Sequence, residues 1–158
     1  MRLPVALLAL VVCAPLVGCR RTQKFTTTVE LNRVHAFGRN PKEPSAMDVE
    51  LRYVDCPGEA RKLVRGDKAF ATCALALKAG VRVPVDVTRR YDADRGVFRS
   101  EVTRIGTCDI TTDPKDEVNY EVVENCTDLK ATGMVVGVNC SRRREPALIE
   151  KCPWLLRN

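Results

Sequence analysis

The chain has 158 residues, with 26 Lys and Arg against 20 Asp and Glu, for a formal net charge of +6. Aromatic residues are only 5% and His35 is the sole histidine, which argues against a base-stacking nucleic-acid surface and against histidine-dependent metal or triad chemistry. Eight cysteines in so short a chain point instead to an oxidising compartment.

Arg2 opens the chain as a basic n-region, and Leu3 to Val17 follow as a nearly continuous apolar run. Fifteen residues fall short of a membrane span, which takes about 20, and read as the h-region of a signal peptide. Leu16-Val17-Gly18-Cys19 then resembles the lipobox of bacterial lipoproteins. The resemblance covers residues 1–19. It implies that Cys19 receives diacylglycerol through its thiol, that cleavage removes residues 1–18, and that the new amine is acylated. Several acyl chains hold a protein where one binds only reversibly. The position after the cysteine is Arg20 rather than Asp. By resemblance to the sorting rule of well-studied Gram-negative lipoproteins, this favours the outer over the inner membrane.

Removing 18 of the 158 residues leaves 140, enough for one domain with its own core. Cys13 leaves with the signal peptide and Cys19 takes the lipid. Cys56, Cys73, Cys108, Cys126, Cys140 and Cys152 remain, an even number that implies three disulfides, each stabilising by roughly 2–4 kcal/mol. The wide gaps do not suit zinc, so no metal or cofactor is expected. Pairing of near neighbours (Cys56–Cys73, Cys108–Cys126, Cys140–Cys152) is the working expectation among 15 connectivities.

Residues 20–24 read as a tether, and 25–158 as the globular domain. Phe25, Thr27, Val29 and Leu31 alternate with polar residues, as do Met47, Val49, Leu51 and Tyr53; both stretches predict half-buried strands, separated by a loop over 38–45. Phe70, Cys73, Ala74 and Leu77 fall at helical spacing, predicting a helix over about 67–79 with Asp67 as N-cap and Gly80 past its end. Val81, Val83, Val85 and Val87 predict a strand in which Pro84 demands an edge or bulge. Asp92 to Gly96 is a turn, and Val97 to Ile105 the returning strand. A polar loop over 109–117 leads to a last pair, Tyr120–Cys126 and Met134–Cys140, joined across Thr127 to Gly133. Residues 146–152 predict a helical turn between two prolines. The fold class is α+β, mainly antiparallel β: a small barrel or curled sheet with one helix, whose element order is compatible with an OB-like barrel.

Most motifs have plain structural readings. Arg65-Gly66-Asp67 reads as a turn into the helix, and Asp92-Ala93-Asp94-Arg95-Gly96 as a hairpin turn without the remaining ligands of a calcium loop. Asp109, Asp113, Asp116 and Glu117 form a loose, solvated acidic loop. Asn125-Cys126-Thr127 and Asn139-Cys140-Ser141 match the glycosylation sequon, but each has a bridged cysteine at its centre. Basic residues Arg20, Arg21 and Lys24, and Arg142-Arg143-Arg144, read first as a solvated basic surface, with approach to anionic head groups as the alternative. Trp154, beside Cys152, reads as a core seal or as a partner contact.

No nucleophile–base–acid set stands out, so the expectation is a non-enzymatic lipoprotein of the envelope. It would be anchored to a membrane through Cys19 and bind other envelope proteins of a motility, adhesion or secretion assembly, with no nucleic-acid partner. The alternatives are an inhibitor of a lysozyme or protease, and a barrel binding a small ligand.

Overall fold

The computed structural model describes residues 22–40, 42–142 and 151–155. Leu16, Val17, Gly18 and Cys19, and nearly all of the expected helical turn at 146–152, lie outside them.

The first strand determines how the sheet curls. β1 (Thr22–Phe37) runs for 16 residues. Its first part, from Thr22 to Glu30, pairs antiparallel with β4 (Arg82–Asp92). Its second part, from Val29 to Phe37, pairs with β2 (Ala46–Tyr53). Only Val29 and Glu30 serve both ladders. A register shift at Asn32, between Leu31 and Arg33, breaks the ladder where the strand must bend.

The remaining strands extend each side. β3 (Arg61–Gly66) pairs with β2, β5 (Val97–Ile105) with β4, and the short β6 (Cys108–Asp109) with β5. β7 (Val123–Ala131) meets β3 at the single pair Arg61–Val123, and β8 (Met134–Arg142) completes a hairpin with β7. The sheet order is β6-β5-β4-β1-β2-β3-β7-β8. Within it, β3-β2-β1-β4-β5 with a helix between β3 and β4 is the connectivity of an OB-like barrel, left open because no ladder joins β3 to β5.

Inward positions fill the curl. Val29, Leu31, Val49, Leu51, Val64, Val85, Val87, Val102 and Ile105 form one buried cluster with Phe70. The helix α1 (Lys68–Cys73) closes one end, tightening into a 3-10 turn over Ala74–Ala76. Asp67 caps it by accepting the Phe70 N–H at 3.0 Å. Gly66 is required there, since a Cβ would lie 2.2 Å from Phe70 Cδ1. The helix is shorter than the 67–79 expected. The Leu77 N–H closes back on Ala74 O at 2.9 Å, and the chain then turns so that the Gly80 N–H donates to Leu31 O at 2.7 Å. The opposite end is sealed by the C-terminal segment, where Leu155 is buried and Trp154 stacks on Phe25 at 5.4 Å.

Three further expectations are corrected. Residues 22–24 are paired strand rather than tether, since Thr22, Gln23 and Lys24 lie opposite Arg90, Arg89 and Thr88. The last hairpin turns tightly at Thr132-Gly133, both at positive φ as a two-residue hairpin turn demands, so its strands run five residues beyond Cys126 and two beyond Cys140. The six cysteines do form three bridges, but as Cys56–Cys152, Cys73–Cys108 and Cys126–Cys140. The curl of the sheet brings α1 against β6, and the C-terminal segment against the end of β2, so none of the near-neighbour pairs forms. Pro84 sits as its chemistry requires: the β4–β5 ladder stops at Val85–Ile105, and Pro84 only accepts, from the Gly106 N–H at 2.8 Å.

The open seam between β3 and β5 is spanned by Lys62. Its side chain is fully buried, and Nζ donates to Ser100 O at 2.7 Å. Burial pushes its pKa down to about 7; the nearby Glu101 carboxylate pulls the other way and Arg99 adds to the depression. The unfolded chain, with lysine near its usual 10.5, therefore binds more protons than the folded one between pH 7 and 10, and stability rises with pH across that window. Above pH 10 buried Tyr53, whose pKa burial raises, opposes the trend by holding its proton when the unfolded chain loses it. Denaturant titrations should show a gain of a few kcal/mol from pH 7 to 10. Lys62→Met should flatten that rise; an equally steep slope in the variant would show that Lys62 is not its source.

Candidate functional site

The outer face of β1, β2 and β3 departs from a solvated sheet surface. Asp48 and Glu50 of β2 point outward yet are 0% and 1% exposed. Arginines from neighbouring strands neutralise them. Arg65 grips Asp48 with two bonds, Nε to Oδ1 at 2.8 Å and Nη2 to Oδ2 at 3.1 Å, the strong bidentate geometry of guanidinium and carboxylate. Glu50 accepts from Arg61 Nη1 at 3.2 Å and forms an ion pair with Arg33 Nε at 3.0 Å. Leu63, also outward, packs with Val123, Cys126 and Val138 of the β7–β8 hairpin. Arg33 links the layers, reaching from buried Glu50 to Asp128 and to Cys126 O of the hairpin.

That hairpin is the first candidate contact surface. Beyond its packed base it exposes Leu129 at 52%, Met134 at 67% and Val136 at 46%, and β8 is the last strand of the sheet order, with one edge unpaired among the described residues. An open edge beside exposed apolar side chains is a template for pairing with another chain. The Cys126–Cys140 bridge ties its two strands at the base. Sequence reasoning placed these two cysteines on paired strands without pairing them, and it missed the exposed apolar residues. The Gly133 turn signal, flanked by Leu129, Met134 and Val136, was available to find them.

The second surface is the end of the sheet where β1 begins. Five of the eight aromatic residues gather there: Phe25 stacks on Trp154, Tyr91 stands edge-on to Phe98 at 5.3 Å, and Tyr120 lies under the Arg99 guanidinium at 3.5 Å. Arg89 sits over Phe98 at 4.6 Å. A shallow cleft of about 310 Å³ opens among Arg90, Tyr91, Asp92, Arg99, Pro114 and Tyr120. Its arginines are not free: Arg90 faces Glu101 at 3.6 Å, and Arg99 bonds Asp92 and Glu117, each at 3.3 Å.

The residues singled out from sequence are dispersed. Trp154 is half-buried against the core, so its core contact is real, with its buried Nε1 unpartnered among the described residues. His35 pairs across to Asp48 in register and packs edge-on to Phe37. Asp92 and Asp94 belong to the β4–β5 hairpin, where Asp92 binds Arg95 and Arg99. Part of the acidic loop is drawn into ion pairs, Asp116 with Arg65 and Glu117 with Arg95 and Arg99, while Asp109, paired with Arg104, and Asp113 stay exposed to solvent. Arg65-Gly66-Asp67 is spent on the Asp48 pair, close packing and the helix cap. Among the described residues no group of three His, Cys, Asp or Glu is placed to hold a metal ion. The chain matches no protein-family model, no curated protein and no solved structure.

The hairpin's order rests on its bridge and its clamp. Cys126→Ser with Cys140→Ser should remove about 3 kcal/mol of loop-closure stabilisation. Amide exchange should speed across residues 123–142 while β1 and β4 stay protected; uniform loss of protection would show that the hairpin and the curled sheet unfold as one unit.

Proposed function

We propose that this chain is a bacterial lipoprotein, anchored through Cys19, that acts as a non-enzymatic binding or structural component of an envelope assembly. The observation that carries the binding half is the β7–β8 hairpin: exposed Leu129, Met134 and Val136 beside a strand edge that is unpaired among the described residues, on a hairpin stiffened by a disulfide. Pre-organisation lowers the entropic cost of docking. The partner it suits is a protein offering an extended apolar segment along β8. The anchoring half rests on the lipobox resemblance and on the six remaining cysteines, all bridged as an oxidising compartment permits.

The small-ligand reading finds less support, because the curl is filled by its own valines, isoleucine and leucines, with α1 and Trp154 at its ends. An inhibitor would also use a braced hairpin, and the two readings part on the identity of the target.

A photo-crosslinking amino acid at Met134 or Val136 of the full-length protein in its own cells should trap one defined envelope protein, and the same probe at exposed Lys78 should not. Leu129→Asp with Val136→Asp should abolish the adduct and reproduce the envelope defect of a deletion strain at unchanged protein level. Adducts equal at all three positions, or a deletion strain with intact motility, adhesion and secretion, would count against the proposal. Trapping a lysozyme or protease that the purified protein inhibits would favour the inhibitor instead.

A further inference from the structure

Lipidation at Cys19 has a geometric consequence, because β1 begins so soon after it. Thr22 is already paired with Arg90. Three residues of extended chain span at most about 11 Å, so an acylated Cys19 would hold this end of the sheet against the head groups. The other end of β1 is Phe37, at the far end of a 16-residue strand. There Ala36 pairs with Met47 and Met47 with Gly66, beneath α1.

The composition of the near end suits an anionic surface. Lys24 and Arg90 are exposed and Arg89 is half-buried. Neither Lys24 nor Arg89 has a carboxylate partner among the described residues, in contrast to Arg33, Arg52, Arg61 and Arg65. Arg20 and Arg21 precede them in the chain. Basic residues beside an anionic leaflet are drawn to it by a surface potential that salt screens. Among them stand exposed Tyr91 and half-buried Phe25, Phe98 and Trp154. Tyrosine and tryptophan, with an apolar body and a polar tip, favour the boundary between acyl chains and water.

We infer that the end of the sheet formed by Thr22 to Phe25, Arg89 to Tyr91 and Phe98 lies on anionic phospholipid head groups, so that the domain stands end-on with α1 and the β1–β2 loop turned away. This orientation rests on the lipoprotein reading above. It leaves the flank of the sheet that carries the β7–β8 hairpin open to proteins.

The test uses the full-length chain matured in a lipoprotein-processing bacterium and placed in phosphatidylglycerol-rich vesicles bearing a head-group energy acceptor. A donor is installed as a non-canonical amino acid at Asp94, in the β4–β5 turn, or at Lys42, in the β1–β2 loop. Both sites are exposed. Labelled palmitate monitors the anchor, with Cys19→Ser as control. The Asp94 donor should be strongly quenched and the Lys42 donor weakly. High salt, neutral vesicles, or Lys24→Glu with Arg90→Gln should each shrink that difference. Equal quenching in palmitate-bearing protein overturns the orientation alone. A full difference surviving charge removal overturns the anionic surface as its cause. Absence of palmitate from the wild-type chain overturns the lipoprotein reading and the orientation with it.

Discussion

A single strand that serves two neighbours in succession controls this molecule. β1 gives its first half to β4 and its second half to β2, with two residues shared, so the sheet has to coil about it. Coiling brings β3 and β5, at remote places in the sheet order, to face one another. They do not complete a ladder. A lysine amine reaches across instead, Lys62 to Ser100 O, while the 3-10 turn Glu117–Tyr120 packs over the gap, with Asn119 Oδ1 accepting the Arg65 N–H at 2.8 Å. The seam is thus closed by side chains, where a full barrel would use backbone pairs.

The second organising fact is that β2 and β3 are buried on both faces. Hydrophobic residues fill the inner side, and the hairpin roofs part of the outer one. A two-sided burial usually calls for apolar residues throughout. Here the covered outer face keeps Asp48 and Glu50, each matched by guanidinium groups. Such pairs add little net stability over an apolar replacement, yet losing one partner leaves a buried charge exposed to its full cost. They fix register between β1, β2 and β3, because sliding any strand by one residue would separate acids from arginines.

These two facts explain what could be read from residues alone. β2 and β4 alternate plainly, because each has one apolar side and one polar side over most of its length, and β5 is placed by the turn that precedes it. β3 was invisible: Arg61-Lys62-Leu63-Val64-Arg65-Gly66 places a charge inward and a leucine outward, so its pattern contradicts its location. β1 was read too short because the irregularity at Asn32 resets its alternation, moving the inward role from Leu31 to Val34. The even count of six cysteines came through as three bridges, while their connectivity depends on contacts that only the coil creates. The contact surfaces were hidden for a different reason. Exposed Leu129 and Met134 resemble any other strand residues until it is known that β8 has no outer neighbour among the described residues.

The Cys56–Cys152 bond encloses 96 residues of sequence separation, with both cysteines of the Cys73–Cys108 bond and both of Cys126–Cys140 inside its span. On the export reading proposed above, a chain threaded through a translocation channel would present Cys56 and then Cys73 to the oxidising side long before its last residues arrive. Cys56 has to wait for a partner near the C-terminus while a nearer thiol stands open. Joining cysteines in order of appearance would make the wrong product, so reaching these three pairs by that route would require early bonds to be reopened and exchanged as well as formed.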